Sequence, residues 1–301
     1  MSEQQQAELD AFLRQAPVDF SLPVEALRAG FEEAMRHVPV ADNVRTTPVT
    51  LGGVGAVDVV VDGVTPADVV LYFHGGGYVI GSAQSSVPLA AELAQRTGAK
   101  VITVDYRLAP EHPFPAAVDD ARAAYQELLT QGVAPGRIAF AGESAGGGLA
   151  VAAVLALRDA AVTLPTSILA MSPWADLTLS GDTFLEKQPV DAVLTGAGLR
   201  RSVEDYVGSA DPSDPYMSPI FGDLHGLPPI LIQSGSREIL LSDSLRLASR
   251  AAVADVQVTL DVVPGVPHVF QAYAGMLDEG EAALRRAADF LRSGWTIGAA
   301  K

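Results

Sequence analysis

An α/β fold, with a parallel sheet covered by helices on both faces, is what this sequence predicts, and three observations predict it. Apolar runs at 69–73, 101–104, 138–141, 168–171 and 230–232 are short and bounded by Gly, Pro, Asp or Ser, the pattern of strands buried on both sides. Helical patterns such as 118–129 and 149–158 lie between most of them. A chain of 301 residues, 49% of them hydrophobic, also fills one large core, with room for a smaller appendage.

Taken in order, residues 1–45 carry two amphipathic helical patterns, one with Leu9, Phe12 and Leu13, the other with Leu27, Phe31 and Met35 at i, i+4 and i+8. They precede the sheet instead of alternating with it. Residues 57–61 add a strand ahead of the parallel run. Between 176 and 225 two strand candidates are separated by far more chain than a crossover helix needs, with Thr183, Phe184, Leu194, Leu199 and Tyr206 spread through it. An insertion this long usually serves a function. Val256, Val258, Leu260 and Val262 alternate with polar residues, as in a strand nearer the sheet edge. The expected organisation is 1–45 as the N-terminal part of a helical cap, 46–175 as the first part of the core, 176–225 as a cap insertion and 226–301 as the second part of the core. Both cap segments are expected to meet above the carboxyl ends of the strands, where open α/β sheets place their ligands.

Acidic residues outnumber basic ones 36 to 20, a formal net charge of -16, which argues against a phosphate-tracking surface and a nucleic-acid partner. The absence of cysteine excludes disulfides, thiolate nucleophiles and zinc sites built on sulfur, so catalysis must rest on oxygen or nitrogen. The polar, acidic stretch 1–13 does not read as a secretory signal. Apolar stretches of about five to eight residues fall well short of the roughly 20 that a membrane span needs. A soluble cytoplasmic protein is the expectation.

The strongest chemical signal is Gly142-Glu143-Ser144-Ala145-Gly146, placed directly after a strand candidate and directly before a small-residue helix. That is the setting of a nucleophile elbow, in which glycines permit a turn too tight for side chains and the strained serine raises its hydroxyl above the sheet. A second signal, His74-Gly75-Gly76-Gly77-Tyr78, follows the first parallel strand, and its glycines let main-chain N–H groups approach a developing oxyanion. Gly76, Gly77 and Ala145 are the expected donors. A phosphate cradle is disfavoured because the P-loop lysine and glycine spacing are absent. A serine hydroxyl also needs a base. Among the five histidines, His268 stands in the turn-rich loop 264–270 just after the alternating strand and is the candidate; His74 reads as a loop brace. His37, His112 and His225 read as ordinary surface or turn residues. The third member should be a carboxylate following strand 230–232, where Glu238 is favoured over Asp243, which reads equally as an acid near the N-cap of the next helix. Serine, acid, histidine is the chain order of an α/β-hydrolase.

With these residues in view, the chain resembles the hormone-sensitive-lipase-like carboxylesterases of the α/β-hydrolase fold. The likeness rests on His74-Gly75-Gly76-Gly77, the stretch from Asp105-Tyr106-Arg107 through Pro113-Phe114-Pro115-Ala116, Gly142 through Gly147, Ser218-Pro219 and Gly265-Val266-Pro267-His268. It implies an eight-stranded, mostly parallel sheet with a helical cap, and hydrolysis of short- to medium-chain acyl esters through a covalent acyl-enzyme, with no metal or organic cofactor. The partner implied is a small-molecule ester; a homodimer stays open. Two positions depart from the family pattern. Glu143 stands where Asp or Thr is common, and it is expected to brace neighbouring loops, the Tyr106-Arg107 turn among them. Glu238 is followed by Ile239 where proline is usual.

Overall fold

The computed structural model describes residues 3–15 and 22–298; residues 1–2 and 16–21 of the expected N-terminal cap segment, and 299–301 of the second core part, lie outside the described residues. Strands β1 (Val44–Leu51), β2 (Val54–Val61), β3 (Val69–Phe73), β4 (Lys100–Val104), β5 (Ile138–Glu143), β6 (Ile168–Met171), β7 (Ile230–Gly235) and β8 (Val258–Val263) form one eight-stranded sheet in the order β1-β2-β4-β3-β5-β6-β7-β8. Strand β2 runs antiparallel to β1 and β4, and the remaining neighbours are parallel. The helices are α1 (Glu3–Gln15), α2 (Val24–Arg36), α3 (Val87–Thr97), α4 (Ala116–Thr130), α5 (Ala145–Asp159), α6 (Thr183–Glu186), α7 (Gly196–Val207), α8 (Leu241–Val253) and α9 (Asp278–Gly298).

The two-residue period of a strand divides the core into two layers. Leu71, Phe73, Ile138, Phe140, Ile230 and Ile232 face the layer built with α4, α5 and α8, while Val70, Tyr72, Ala139, Ala141 and Leu231 face α3 and α9. Leu284, Ala287 and Leu291 place the apolar stripe of α9 on that second face. Strand β8 closes one edge of the sheet, and its Leu260 and Val262 remain partly exposed, in keeping with the alternation in its sequence.

Strand β1, at the opposite edge, was not expected from the sequence. Its eight residues are mostly exposed and include Pro48, so no apolar run marks it; pairing with β2 makes it a strand. It begins at Val44, just ahead of the expected boundary at 45. Among the described residues no helix is long and apolar enough to cross a membrane.

The segments that break the strand-helix rhythm pack onto this frame. Leu9 of α1 is buried with Val263, Val266 and Phe270. On α2, Leu27 enters the first core layer, and Arg28 donates to the carbonyls of Val79 (2.9 Å) and Ala109 (2.8 Å) and pairs with Glu111 (2.7 Å). Residues 176–225 form α6, α7 and connecting loops, with Phe184, Leu199 and Tyr206 buried.

Candidate active site

Ser144 sits between the end of β5 and the first turn of α5 with φ +56°, a left-handed conformation that a side chain disfavours. Its surroundings hold it there: its N–H donates to the Met171 carbonyl (2.9 Å), and its own carbonyl accepts from Gly148 (3.1 Å) and Trp174 (2.9 Å). The flanking glycines are required by close approach. A Cβ on Gly142 would stand 2.3 Å from the Gly146 carbonyl oxygen, and one on Gly146 would stand 2.0 Å from that of Phe73. Strand β3 and helix α5 can therefore meet closely enough to aim the N-terminus of α5 at the space above Ser144.

Into that space comes His268, whose Nε2 lies 2.9 Å from Ser144 Oγ. Its Nδ1 is hydrogen-bonded to Glu238 Oε2. All three side chains are buried. Glu238 reaches the ring with only one oxygen because Oε1 is already occupied: it accepts from the Gly235 N–H (2.7 Å), from Ser172 Oγ (3.0 Å) and from Ser234 Oγ. Ser172 Oγ in turn accepts the Val269 N–H (3.0 Å), joining the loop of Glu238 to that of His268. Neither serine stands out in the sequence, since an isolated Ser at a strand end carries no pattern.

Asp243 lies elsewhere. One oxygen of its buried carboxylate accepts the N–H groups of Ala175 and Asp176, each at 2.9 Å. It sits in the first turn of α8, yet it braces the loop after β6 instead of capping its own helix. Burial, with Asp176 nearby, pushes its pKa well above the usual carboxylate range.

The glycine loop 74–78, expected to hold an oxyanion, lies beside the serine. Among the described residues, the N–H groups of Gly76, Gly77 and Ala145 find no protein acceptor. Gly76 has φ +109°, and a Cβ there would stand 2.2 Å from the Ile80 carbonyl oxygen. His74 is stacked on Tyr106 with ring centres 4.2 Å apart, and its Nδ1 lies 2.6 Å from the Gly75 carbonyl. Burial lowers its pKa to about 4, so at neutral pH it is an uncharged brace. Glu143 braces a neighbouring loop as expected, but a different one from the turn suggested: its carboxyl accepts from Tyr72 OH and from the Gly75 N–H (2.7 Å), fastening the glycine loop 74–78, and among the described residues it makes no hydrogen bond to the Tyr106-Arg107 turn. That turn is held by other means, Tyr106 OH donating to the His74 carbonyl (2.7 Å) and Arg107 pairing with Asp120. His37, His112 and His225 are exposed.

Above Ser144 and His268 opens a cavity of about 200 Å³. Its walls are mainly apolar and come from three parts of the chain: Phe31 and Met35 on α2, Val193, Leu194 and Leu199 in the insertion, and Ile80 and Leu89 in the core. The arrangement suits an uncharged substrate whose polar reacting centre meets a hydroxyl, an imidazole and free N–H groups.

Comparison with known proteins agrees with this geometry. Residues 70–272 match the family described as alpha/beta hydrolase fold. An acetyl-hydrolase of Streptomyces hygroscopicus is 48% identical over 223 residues, covering 74% of this chain and 75% of that protein. An esterase of Acinetobacter venetianus is 37% identical over 278 residues, 92% of this chain and 91% of its own. Among solved structures, an esterase from the bacterial hormone-sensitive lipase family superposes with a TM-score of 0.93 at 37% identity, over 98% of this chain and 99% of that one. EstE5, solved after soaking with p-nitrophenyl butyrate, superposes with a TM-score of 0.93 at 38% identity, over 98% and 100% of the two chains. Strand order, elbow and matched length thus point one way, and the chain belongs to the α/β-hydrolase fold family, in its hormone-sensitive-lipase-like carboxylesterase branch.

Proposed function

We propose that the chain hydrolyses short- to medium-chain carboxylic esters through a Ser144–His268–Glu238 triad and a covalent acyl-enzyme. The observation that carries this reading is the unbroken hydrogen-bonded path from Ser144 Oγ through both ring nitrogens of His268 to Glu238, at the foot of an apolar cavity. Ser144 Oγ attacks the ester carbonyl carbon while its proton passes to His268 Nε2. Glu238 keeps Nδ1 protonated, so that Nε2 is the accepting nitrogen, and stabilises the imidazolium that forms. The carbonyl oxygen, now negative, is received by the N–H groups of Gly76, Gly77 and Ala145, each donor worth roughly 3 kcal/mol of barrier. The alcohol departs with the proton from Nε2, and water repeats the sequence on the acyl-enzyme to release the acid.

The mainly apolar wall of the cavity, with Phe31, Met35, Leu194 and Leu199 among its residues, suits the acyl chain of an ester. Segments 1–45 and 176–225 act as the cap, whose Phe31, Met35, Val193, Leu194 and Leu199 share the apolar wall with residues of a catalytic core made of 46–175 and 226–301.

A fluorophosphonate probe followed by peptide mass spectrometry tests the reading. A single adduct on Ser144, lost with activity in Ser144→Ala, is expected; activity that survives in Ser144→Ala overturns it. Butyrate esters are expected to be turned over faster than palmitate esters, and the opposite order would reject the chain-length assignment.

A further inference from the structure

The residue after Glu238 is gripped by its main chain from both sides. The Ile239 N–H donates to Asp191 Oδ2 at 2.8 Å, and the Ile239 carbonyl accepts from Thr183 Oγ1 at 2.9 Å. Both partners belong to the insertion at 176–225, not to the strand that precedes Glu238. Asp191 is buried, and its second oxygen is also committed: Oδ1 accepts the N–H groups of Val193 (2.9 Å) and Leu194 (2.8 Å), whose side chains line the cavity. One carboxylate therefore spans a wall of the substrate cavity and the loop of the acid. Burial raises its pKa, while the His268 ring and the three N–H donors favour the charged form. A buried carboxylate is expensive to desolvate, and here every bond that offsets the expense leads to the acid loop or to the cavity wall.

Resting on the triad reading above, we propose that Asp191 is a positioning residue for the reaction: the insertion, through Asp191, fixes the main chain at Ile239 and so holds Glu238 in register with His268. Glu238 has one oxygen tethered by Gly235, Ser172 and Ser234, so its reach to the ring is set by the backbone on either side of it. Gly235 belongs to β7 and is fixed by the sheet. The other side is fixed by the insertion. A misplacement of about 1 Å in such a group can lower the rate on the order of a hundredfold.

The experiment uses the full chain. Asp191→Asn keeps the size of the side chain but leaves at least one of the three N–H donors facing an amide NH₂. Active sites are counted by fluorophosphonate titration, and kcat per titrated site, KM for an acetate ester and the rate of Ser144 phosphonylation are measured beside wild type. The expected result is a fall of about ten- to a hundredfold in both kcat per site and phosphonylation rate, with KM changed by less than about threefold. Damage to folding alone would reduce the number of sites and leave the rate per site intact. Should Asp191→Asn fail to fold, Thr183→Val releases the opposite side of Ile239 and is expected to lower kcat per site in the same direction. Folded Asp191→Asn whose kcat per site and labelling rate stay within about twofold of wild type, or whose loss is confined to KM, overturns the proposal. In the fallback arm, an unchanged Thr183→Val does the same. Wild type that is not labelled at Ser144 overturns the triad reading and this proposal with it, so the two failures are distinguishable.

Discussion

Two buried carboxylates follow β7, and the partners of their oxygens separate their roles. Glu238 offers one oxygen to the His268 ring, whereas among the described residues the hydrogen bonds Asp243 accepts come from main-chain N–H groups. Glu238→Gln is therefore expected to lower kcat on the order of 10⁴-fold, because an amide NH₂ facing Nδ1 favours the wrong imidazole tautomer. Asp243→Asn retains an oxygen able to accept both N–H groups, and kcat is expected to stay within a few-fold of wild type. Steady-state kinetics on both variants checks this, and the reverse ranking would move the acid's role to Asp243. Glu143 supplies a second test. Burial pushes its carboxyl up to about 7, against the opposing hydrogen bonds of Tyr72 and Gly75. Between the ordinary value near 4.5 and about 7, the folded state binds more protons than the unfolded one, so this group's contribution to stability falls as pH rises through that window and is level outside it. Glu143→Gln cannot titrate. The melting temperature of wild type minus that of Glu143→Gln is expected to shrink as pH rises from about 5 to about 7. A constant difference would mean that Glu143 ionises at its ordinary pKa.

At the level of elements, the site depends on how α2 is fastened. Arg28 reaches the carbonyls of Val79 and Ala109 and the carboxylate of Glu111, and Phe31 and Met35, further along the same helix, line the cavity. Arg28→Ala should loosen α2 while leaving Ser144 and His268 in place. A rise in KM is expected, larger for a hexanoate ester than for an acetate ester, with kcat little changed. Equal KM values in the two proteins for both esters would mean that burial of Val24 and Leu27 alone docks the helix. The partner residue Glu111 lies within the stretch from Asp105 to Ala116, one of the motifs that carry the family resemblance, but the sequence does not reveal that it receives a helix from residues 24–36. Other elements were legible to different degrees for physical reasons. The β3 run is buried at every residue and stood out as an apolar run of the same extent, whereas β1 exposes most of its side chains and left no signal.

Across the whole molecule, local pattern and long-range contact divide the information. The elbow around Ser144, the glycine turn after β3 and the loop holding His268 are each set by a few neighbouring residues, because tight turns restrict which side chains fit, and so they could be read along the chain. The sheet also follows from its apolar runs, since continuous two-sided burial leaves a strand few places other than the centre. Ser172, Ser234 and Asp191 could not be read that way. Each is an ordinary polar residue whose partner lies in a different loop or, for Ser234, four residues on at Glu238, and only packing selects which buried carboxylate or N–H it meets. The type of fold, the candidate nucleophile and the chemistry proposed for it are thus written in short stretches of residue order. The meeting of the imidazole with Glu238, which position along the chain favoured over Asp243, the bracing of the glycine loop 74–78 by Glu143 and the anchoring of Ile239 by the insertion arise when distant loops are brought within about 3 Å of one another, a distance that hydrogen bonds require and that residue order does not encode.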